Sequence, residues 1–200
     1  MKEQNPEEQI LDAAKQVFIR KGFDGARMQE IADLAGINKA MLHYYFRSKD
    51  QLFYKIFDET FQKIMPQIRA LLMNELSFEE KIHLFVGKYI DVLKANPYIP
   101  MFILHELSRN PEKLQNVIMG TIQPNFSAIK VQIESEMNKG TIKQIDIRQF
   151  LMNLIGLCIF PVAAQPLMQT LFQCDSDTYG ELLEERKKIV PEIILKWLKP

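Results

Sequence analysis

Apolar side chains recur at three- and four-residue spacing along nearly the whole chain, which is the period of an amphipathic α-helix. In the first segment, Ile10, Ala13, Ala14 and Val17 would share one helical face. Alternating β-branched residues, which would indicate strands, do not interrupt this pattern. The pattern predicts an all-α fold with helices over 7–21, 28–35, 39–46, 49–74, 78–95, 97–108, 111–138, 147–164 and 177–198, and a short extra turn over 166–172.

Glycine, proline and capping residues mark where these helices begin, bend and end. Gly22 and Gly140 follow helical segments and can adopt the left-handed backbone that closes a helix. Three helix starts are predicted by capping pairs: Ser48 with Gln51, Ser77 with Glu80, and Asp146 with Gln149. A proline inside a helix removes one backbone hydrogen bond, so we expect bends at Pro66, Pro124, Pro161 and Pro191.

The segment from Arg27 to Phe46 predicts a helix-turn-helix. Gly36 supplies the tight turn between two short helices, and Asn38 would cap the second one. The outer face of this second helix displays basic, apolar and aromatic groups: Lys39, Ala40, Met41, His43, Tyr44 and Arg47. These groups suit the floor and walls of a DNA major groove.

Positive charge is concentrated in this segment of a chain that is neutral overall. The whole sequence has 25 basic and 25 acidic residues, but between Ala13 and Lys49 there are seven basic residues against three acidic ones. Such clustering is what neutralisation of phosphates requires. Charge alone would fit a solvated basic surface equally well, and the helical spacing favours DNA binding.

Composition excludes several other classes of protein. Cys158 and Cys174 are too few for a disulfide scaffold; we expect two reduced, small apolar residues, with a redox switch as the alternative. The first nine residues are polar and acidic, unlike a signal peptide. The longest apolar run, 154–164, is too short to span a bilayer and is broken by Gly156 and Pro161. We therefore expect a cytoplasmic protein without a membrane partner.

The N-terminal segment closely resembles the DNA-binding signature of the TetR family of bacterial transcriptional regulators, from residue 7 to about residue 53. The matching residues are Gly22-Phe23, Glu30-Ile31-Ala32, Ala35-Gly36-Ile37-Asn38-Lys39, Leu42, Tyr45-Phe46 and Ser48-Lys49-Asp50-Gln51-Leu52. The resemblance implies a three-helix DNA-binding domain over 1–53, with its helix-turn-helix at 27–46. It also implies a larger helical domain for ligand binding and dimerisation over 54–200.

The resemblance also implies which residues contact double-stranded DNA: Arg27, Gln29, Lys39, Ala40, Met41, His43, Tyr44, Tyr45 and Lys49. Tyr45 would pack inward with its hydroxyl near the backbone. Lys49 stands at the start of a predicted helix, where a lysine and free backbone N–H groups together favour an anion. The chain departs from the family at Ala26-Arg27, where a hydroxyl residue is usual, and at His43, where tyrosine is usual.

Methionine and aromatic residues in the C-terminal domain predict an adaptable apolar pocket, although for any one of them a place in an ordinary helical core is the alternative. The resemblance implies a ligand pocket among the fourth to eighth helices. The predicted lining combines apolar residues with polar groups that would orient a small-molecule effector: Met65, Phe85, Tyr89, Met101, Phe102, His105, Met119, Asn125, Phe126 and Phe160.

The helices over 147–164 and 177–198 carry apolar stripes that predict a homodimer surface. The residues of these stripes are Phe150, Leu154, Leu157, Pro161, Leu183, Val190, Ile194 and Trp197. In regulators of this kind two such helices from each protomer form a four-helix bundle. Dimerisation would also space two recognition helices about 34 Å apart, the distance between successive major grooves.

These patterns lead to one functional hypothesis and one alternative. We expect a DNA-binding transcriptional regulator, a repressor that a small apolar or amphipathic ligand releases from a near-palindromic operator. The alternative is a helical protein-interaction module with vestigial DNA binding. Neither His83 nor His105 has a metal-ligand partner at suitable spacing, and motifs for nucleophilic catalysis or phosphate binding do not occur. We therefore expect no enzyme activity, no metal and no cofactor.

Overall fold

A computed structural model of the chain describes residues 5–109, 112 and 127–200. Within these ranges the regular secondary structure is helical and contains no strand, which confirms the all-α prediction. The chain divides into two compact units, Met1–Ile64 and Met65–Pro200. The predicted functional boundary after residue 53 stays a prediction.

The N-terminal unit contains helices α1 (Pro6–Gly25), α2 (Met28–Leu34), α3 (Lys39–Tyr45) and the first part of α4 (Lys49–Met73). Gly22 has φ 68° and interrupts α1, so the predicted helix end appears as a kink followed by one more turn. The core of this unit is formed by apolar side chains from all four helices, including Ile10, Val17, Phe18, Ile31, Ala32, Leu42, Phe53 and Phe57.

The C-terminal unit contains the rest of α4 and the following helices: α5 (Phe78–Ala95), α6 (Tyr98–Arg109), α7 (residues 127–139), α8 (Ile147–Ala163), α9 (Gln165–Phe172) and α10 (Ser176–Leu198). Helix α10 packs against both α5 and α8, and α5 also packs against α8. Their shared core includes Val86, Ile90, Ile133, Phe150, Leu154, Cys158, Val190 and Ile194.

Local capping signals located most helix ends. Ser77 and Glu80 form the predicted capping box, and Gly140 has φ 72° at the end of α7. Asp146 caps α8, but its side chain accepts from the N–H of Arg148 rather than that of Gln149. Three of the predicted proline positions, Pro66, Pro161 and Pro191, lie inside helices that continue past them, whereas Pro124 lies outside the described residues.

Ion pairs join α5 to α10 along one edge of the C-terminal unit. Lys187 Nζ lies 2.5 Å from Asp91 and 2.6 Å from Glu184, and Lys94 also pairs with Glu184. The alternating charges form one connected network that fixes the register of the two helices.

Among the described residues, no individual helix is both long enough and apolar enough to cross a membrane. Helices α8 and α9 reach the required length and composition only when taken together, with a bend of 69° between them.

Candidate nucleic-acid interface

The turn between α2 and α3 has the geometry that its sequence predicts. Gly36 adopts φ 68°, a left-handed conformation that a residue with a Cβ rarely takes. The Asn38 side-chain oxygen accepts a hydrogen bond from the Met41 N–H at 2.8 Å and thereby caps α3. Ala32 and Leu42 are fully buried between the helices. The predicted helix-turn-helix is therefore confirmed as a backbone arrangement.

An ion triad fastens α2 to α1. The Glu30 carboxylate accepts hydrogen bonds from Arg20 at 2.7 Å and from Lys21 at 2.8 Å. The hydrogen bond from Lys21, together with the charges of Lys21 and Arg20, lowers the pKa of Glu30 below its ordinary value of 4.5. The triad holds the helix-turn-helix against α1 and uses two of the basic residues that the sequence counted toward DNA binding.

The outer face of α3 is open to solvent as predicted. Lys39, Ala40 and His43 are exposed, and Tyr44 has 84% of its surface exposed. Met41 is half-buried and so offers only part of its side chain. Exposed aromatic and basic groups in this number are unusual on a surface without a partner.

Tyr45 does not pack inward as the resemblance implied, because Leu42 and Phe46 already fill the inner face of α3. The Tyr45 side chain is 36% exposed, and its ring meets the Tyr44 ring edge-on with centroids 5.5 Å apart. The two tyrosines therefore form one aromatic surface at the end of α3.

The Lys49 side chain makes its hydrogen bonds within the N-terminal unit. Its Nζ donates to the carbonyl oxygens of Phe23 at 2.6 Å, Asp24 at 3.2 Å and Ala26 at 3.2 Å. The ammonium also lies 4.5 Å from the centroid of the Phe23 ring. An ammonium has three hydrogens, and here each has an acceptor. This geometry makes Lys49 a cap for the end of α1, a role that no pattern in the sequence indicates.

Three basic side chains around α3 make no hydrogen bond or ion pair with any described residue: Arg27, Lys39 and Arg47. Arg27 is the N-cap residue of α2 and provides no side-chain cap, in line with its departure from the family pattern. The predicted contact residue Gln29 is exposed, and its amide donates to Asp33 at 2.8 Å. Arg47 is the residue that the predicted contact set omitted.

Of the predicted ligand residues, some are at least half-buried, some are exposed, and the rest lie outside the described residues. Met65, Phe85 and Tyr89 are half-buried and Phe102 is buried, and the Phe85 and Tyr89 rings lie 5.5 Å apart. Burial raises the pKa of the Tyr89 hydroxyl well above its ordinary value, and Cys158 adds to the effect. Met119, Asn125, Phe126 and the side chain of His105 lie outside the described residues.

Two of the predicted ligand residues are in the wrong place for an enclosed pocket within one chain. Met101 is 54% exposed and Phe160 is 57% exposed, so both lie on the outside of the C-terminal unit. Their helices carry apolar residues on more than one face, and the sequence could not show which face turns inward.

The predicted dimer stripe also needs correction, because most of it lies in the core of the C-terminal unit. Five of its side chains are buried there: Phe150, Leu154, Leu183, Val190 and Ile194. Leu157, Pro161 and Trp197 are half-buried. A side chain already buried in its own protomer cannot supply the surface on which a second copy docks.

The outward faces of the same helices are apolar as well. Exposed apolar side chains run over α8, α9 and α10: Met152, Ile155, Phe160, Leu167, Leu171, Phe172, Leu182, Ile189 and Ile193. We call this set the outer apolar surface. Four of its residues, Phe160, Phe172, Leu182 and Ile189, line a groove of about 390 Å³ together with Pro161. None of the α9 side chains is buried.

Residues 10–56 match the family described as bacterial regulatory proteins, tetR family. The transcriptional repressor NicS of Pseudomonas putida is 27% identical over 161 residues, which cover 76% of this chain and 73% of that protein. The fatty acid metabolism regulator protein of Bacillus subtilis is 22% identical over 150 residues, which cover 74% and 77% of the two chains.

Solved structures show the same fold over nearly the full length. FadR from Bacillus subtilis, solved in complex with stearoyl-CoA, aligns with a TM-score of 0.69 at 19% identity and covers 96% of this chain and 98% of its own. The helix-turn-helix geometry, the family match and these relatives agree. Residues 10–56 therefore match the DNA-binding domain of the tetR family, and the chain shares its overall fold with the solved regulators to which it is similar.

Proposed function

We propose that this chain is a dimeric repressor that reads a near-palindromic DNA operator with α3 and leaves it when a small apolar or amphipathic ligand binds the C-terminal unit. One observation carries the DNA-binding part. The exposed face of α3 is surrounded by Arg27, Lys39 and Arg47, which have no hydrogen-bond or ion-pair partner among the described residues. Unpaired cations beside an exposed recognition surface suit phosphates on either side of a groove.

The residues divide by role. Ala40, Met41, His43 and Tyr44 would face base edges, where a methyl-sized contact suits thymine and polar tips can hydrogen-bond. Arg27, Lys39 and Arg47 would contact phosphates, with Gln29 and Tyr45 at the rim. Three cations from each protomer of a dimer are expected to make binding steeply salt-dependent. Lys49 we assign to positioning, since carbonyl groups occupy its three hydrogens.

The test is selection of a randomised DNA duplex pool by the full-length protein, followed by titrations of the selected duplex at two salt concentrations. We expect two half-sites about one helical turn apart. Lys39→Ala should weaken binding to all duplexes alike and lower the salt slope by about 1, whereas Tyr44→Ala should relax the selected sequence. Lys55→Ala, an exposed lysine of α4, is the matched control and should change neither.

Two results would contradict the proposal. Failure to enrich any sequence would favour the alternative of a protein-interaction module with vestigial DNA binding, for which the uncapped start of α2 is the supporting observation. Equal effects of Lys39→Ala and Lys55→Ala would show that affinity depends on overall charge and not on α3.

The ligand part is supported by the aromatic pair in the C-terminal unit and by the relatives. Phe85 and Tyr89 lie side by side, half-buried, and pack against the core that contains Cys158. Partly buried aromatic rings beside a core are typical walls of a pocket for an apolar molecule. Of the three related proteins named above, one is a fatty acid metabolism regulator and one was solved with stearoyl-CoA, so a long acyl chain is a reasonable probe.

A ligand can release the repressor only if it binds the DNA-incompetent form more tightly than the DNA-bound form. Stearoyl-CoA added to the complex of protein and selected duplex is therefore expected to lower DNA affinity. By reciprocity, the duplex should lower the affinity of the protein for the probe by the same factor. If DNA binding is specific but the probe has no effect, the long-acyl class is excluded and the DNA-binding proposal stands.

Dimerisation is supported by the outer apolar surface. Nine apolar side chains on the neighbouring helices α8, α9 and α10 are exposed, and four of them line one groove. Clustered exposed apolar residues are typical of an interaction surface. The family match also favours a dimer, since two recognition helices must be held at a fixed distance to read a near-palindrome. The proposed partner on this surface is a second copy of the chain.

A further inference from the structure

Pro161 leaves a gap in the hydrogen bonding of α8. A proline has no backbone N–H, so the carbonyl of Leu157, four residues earlier, lacks the donor that normally bonds it in a helix. Arg186 of α10 fills this gap, because its Nη2 donates to the Leu157 oxygen at 2.7 Å. A side chain from one helix thus replaces the missing backbone donor of another.

The same helix provides a second donor on the other side of the proline. The hydroxyl of Tyr179, also on α10, donates to the carbonyl oxygen of Pro161 at 2.8 Å. Tyr179 and Arg186 are seven residues apart, which is two helical turns, so they project from one face of α10. The proline-containing turn of α8 is therefore held at two points by a single neighbouring helix.

An arginine at position 186 is unfavourable for the stability of the fold. Its Nε is buried and has no hydrogen-bond partner, and the guanidinium makes no ion pair with a described residue. A buried donor without a partner lowers the stability of a fold, although the side chain as a whole is only half-buried. Stability alone does not account for an arginine here, whereas a need to fix the geometry of α8 does.

The turn of α8 that contains Pro161 lies next to exposed residues of the outer apolar surface. Leu157, Pro161 and Arg186 line the groove between α8, α9 and α10, and the exposed side chains of Phe160 and Ile189 line it too. Any displacement of this turn of α8 would therefore move its exposed residues relative to those of α10.

We propose that Arg186 and Tyr179 are positioning residues for dimerisation: they hold the proline-containing turn of α8 against α10 so that both helices present one surface to a second copy of the chain. The proposal rests on the dimer proposed above. The occupant is a second copy because the groove is continuous with the outer apolar surface, and because charges of both signs, Glu185 and Arg186, line it and allow self-complementary docking.

The test is a double-mutant cycle on the full-length protein, read by sedimentation velocity as the dimer dissociation constant. Arg186→Met keeps the apolar stem and removes the donors, and we expect it to weaken the dimer at least tenfold. Pro161→Ala restores an N–H for Leu157 and should change the dimer less than threefold. In the double variant the loss caused by Arg186→Met should largely disappear, because the backbone then supplies the missing bond.

Lys188→Met is the matched control, since it removes a charge from an exposed neighbouring position of α10 and should leave the dimer unchanged. A wild-type chain that is monomeric at every concentration contradicts the proposed dimer itself. If the protein dimerises but Pro161→Ala does not relieve the effect of Arg186→Met, only the positioning role is overturned. The same holds if the groove binds stearoyl-CoA and neither variant changes the dimer dissociation constant. If the Arg186→Met protein does not fold, we expect the double variant to fold, because its backbone supplies the missing hydrogen bond. A double variant that also fails to fold overturns the inference.

Discussion

The role of Lys49 could be identified only from the structure, because its hydrogen-bond partners are distant in sequence. Its place at the start of α4 favoured a phosphate contact, whereas its ammonium instead binds three carbonyls of the chain segment that ends α1. Those acceptors are backbone atoms 23 to 26 residues away, and any residue type could provide them. By contrast, Gly36 and Asn38 could be read from the sequence, because their conformations depend on immediate neighbours.

We expect Lys49→Met to destabilise the N-terminal unit by about 1–3 kcal/mol, the usual cost of leaving such acceptors without their donor. Lys55→Met is the matched control, since that ammonium lies 3.7 Å from each of two carboxylates on an exposed surface and should contribute little. Urea unfolding followed by circular dichroism measures both. Equal midpoints for the two variants would show that the carbonyl contacts add no stability.

At the scale of helices, periodicity identified apolar stripes but not the side on which the core lies. Helices α8 and α10 are apolar on two faces, one packed in the C-terminal unit and one exposed. Phe150 and Val190 therefore had the spacing expected of a dimer stripe while serving as core. The distinction depends on which neighbours reach each face, and a single sequence does not contain that information.

The triad that joins α1 to α2 predicts a dependence of stability on acid. Because its pKa is lowered in the folded state, ionised Glu30 stabilises the fold fully above the ordinary value of 4.5, and this contribution is lost as the pH falls through the lowered pKa. Glu30→Gln should therefore lower the melting temperature at neutral pH, and its difference from wild type should shrink toward zero in acid. Glu59→Gln, with a carboxylate 3.7 Å from Lys55, is the control. A difference that stays constant from neutral to acid pH would contradict this.

At the scale of the whole molecule, the outer apolar surface is the feature that a single chain does not explain. Its residues belong to three helices, and one of them, Phe160, was predicted to line the ligand pocket. The correct fold class followed from helix periodicity and the N-terminal signature, but the placement of this surface followed only from packing. A second copy of the chain would remove it from water.

Ile189→Glu should convert the protein to a monomer and abolish tight operator binding, because a carboxylate would then be desolvated in the centre of the interface. Leu84→Glu makes the same chemical change at an exposed leucine of α5, outside the outer apolar surface, and should leave the dimer intact. Sedimentation velocity and DNA titration report the two effects. A dimeric Ile189→Glu protein would mean that the second copy docks elsewhere.

The carbonyl cluster around Lys49 selects the shape of a cation and not only its charge. An ammonium is compact and directs its hydrogens along three diverging lines, whereas a guanidinium is flat and holds its donors in one plane. Arginine at this position would keep the net charge of the chain, yet it could not reach Phe23, Asp24 and Ala26 together in the present arrangement. A lysine-to-arginine exchange, harmless at most exposed sites, would here separate two helices that the ammonium ties together.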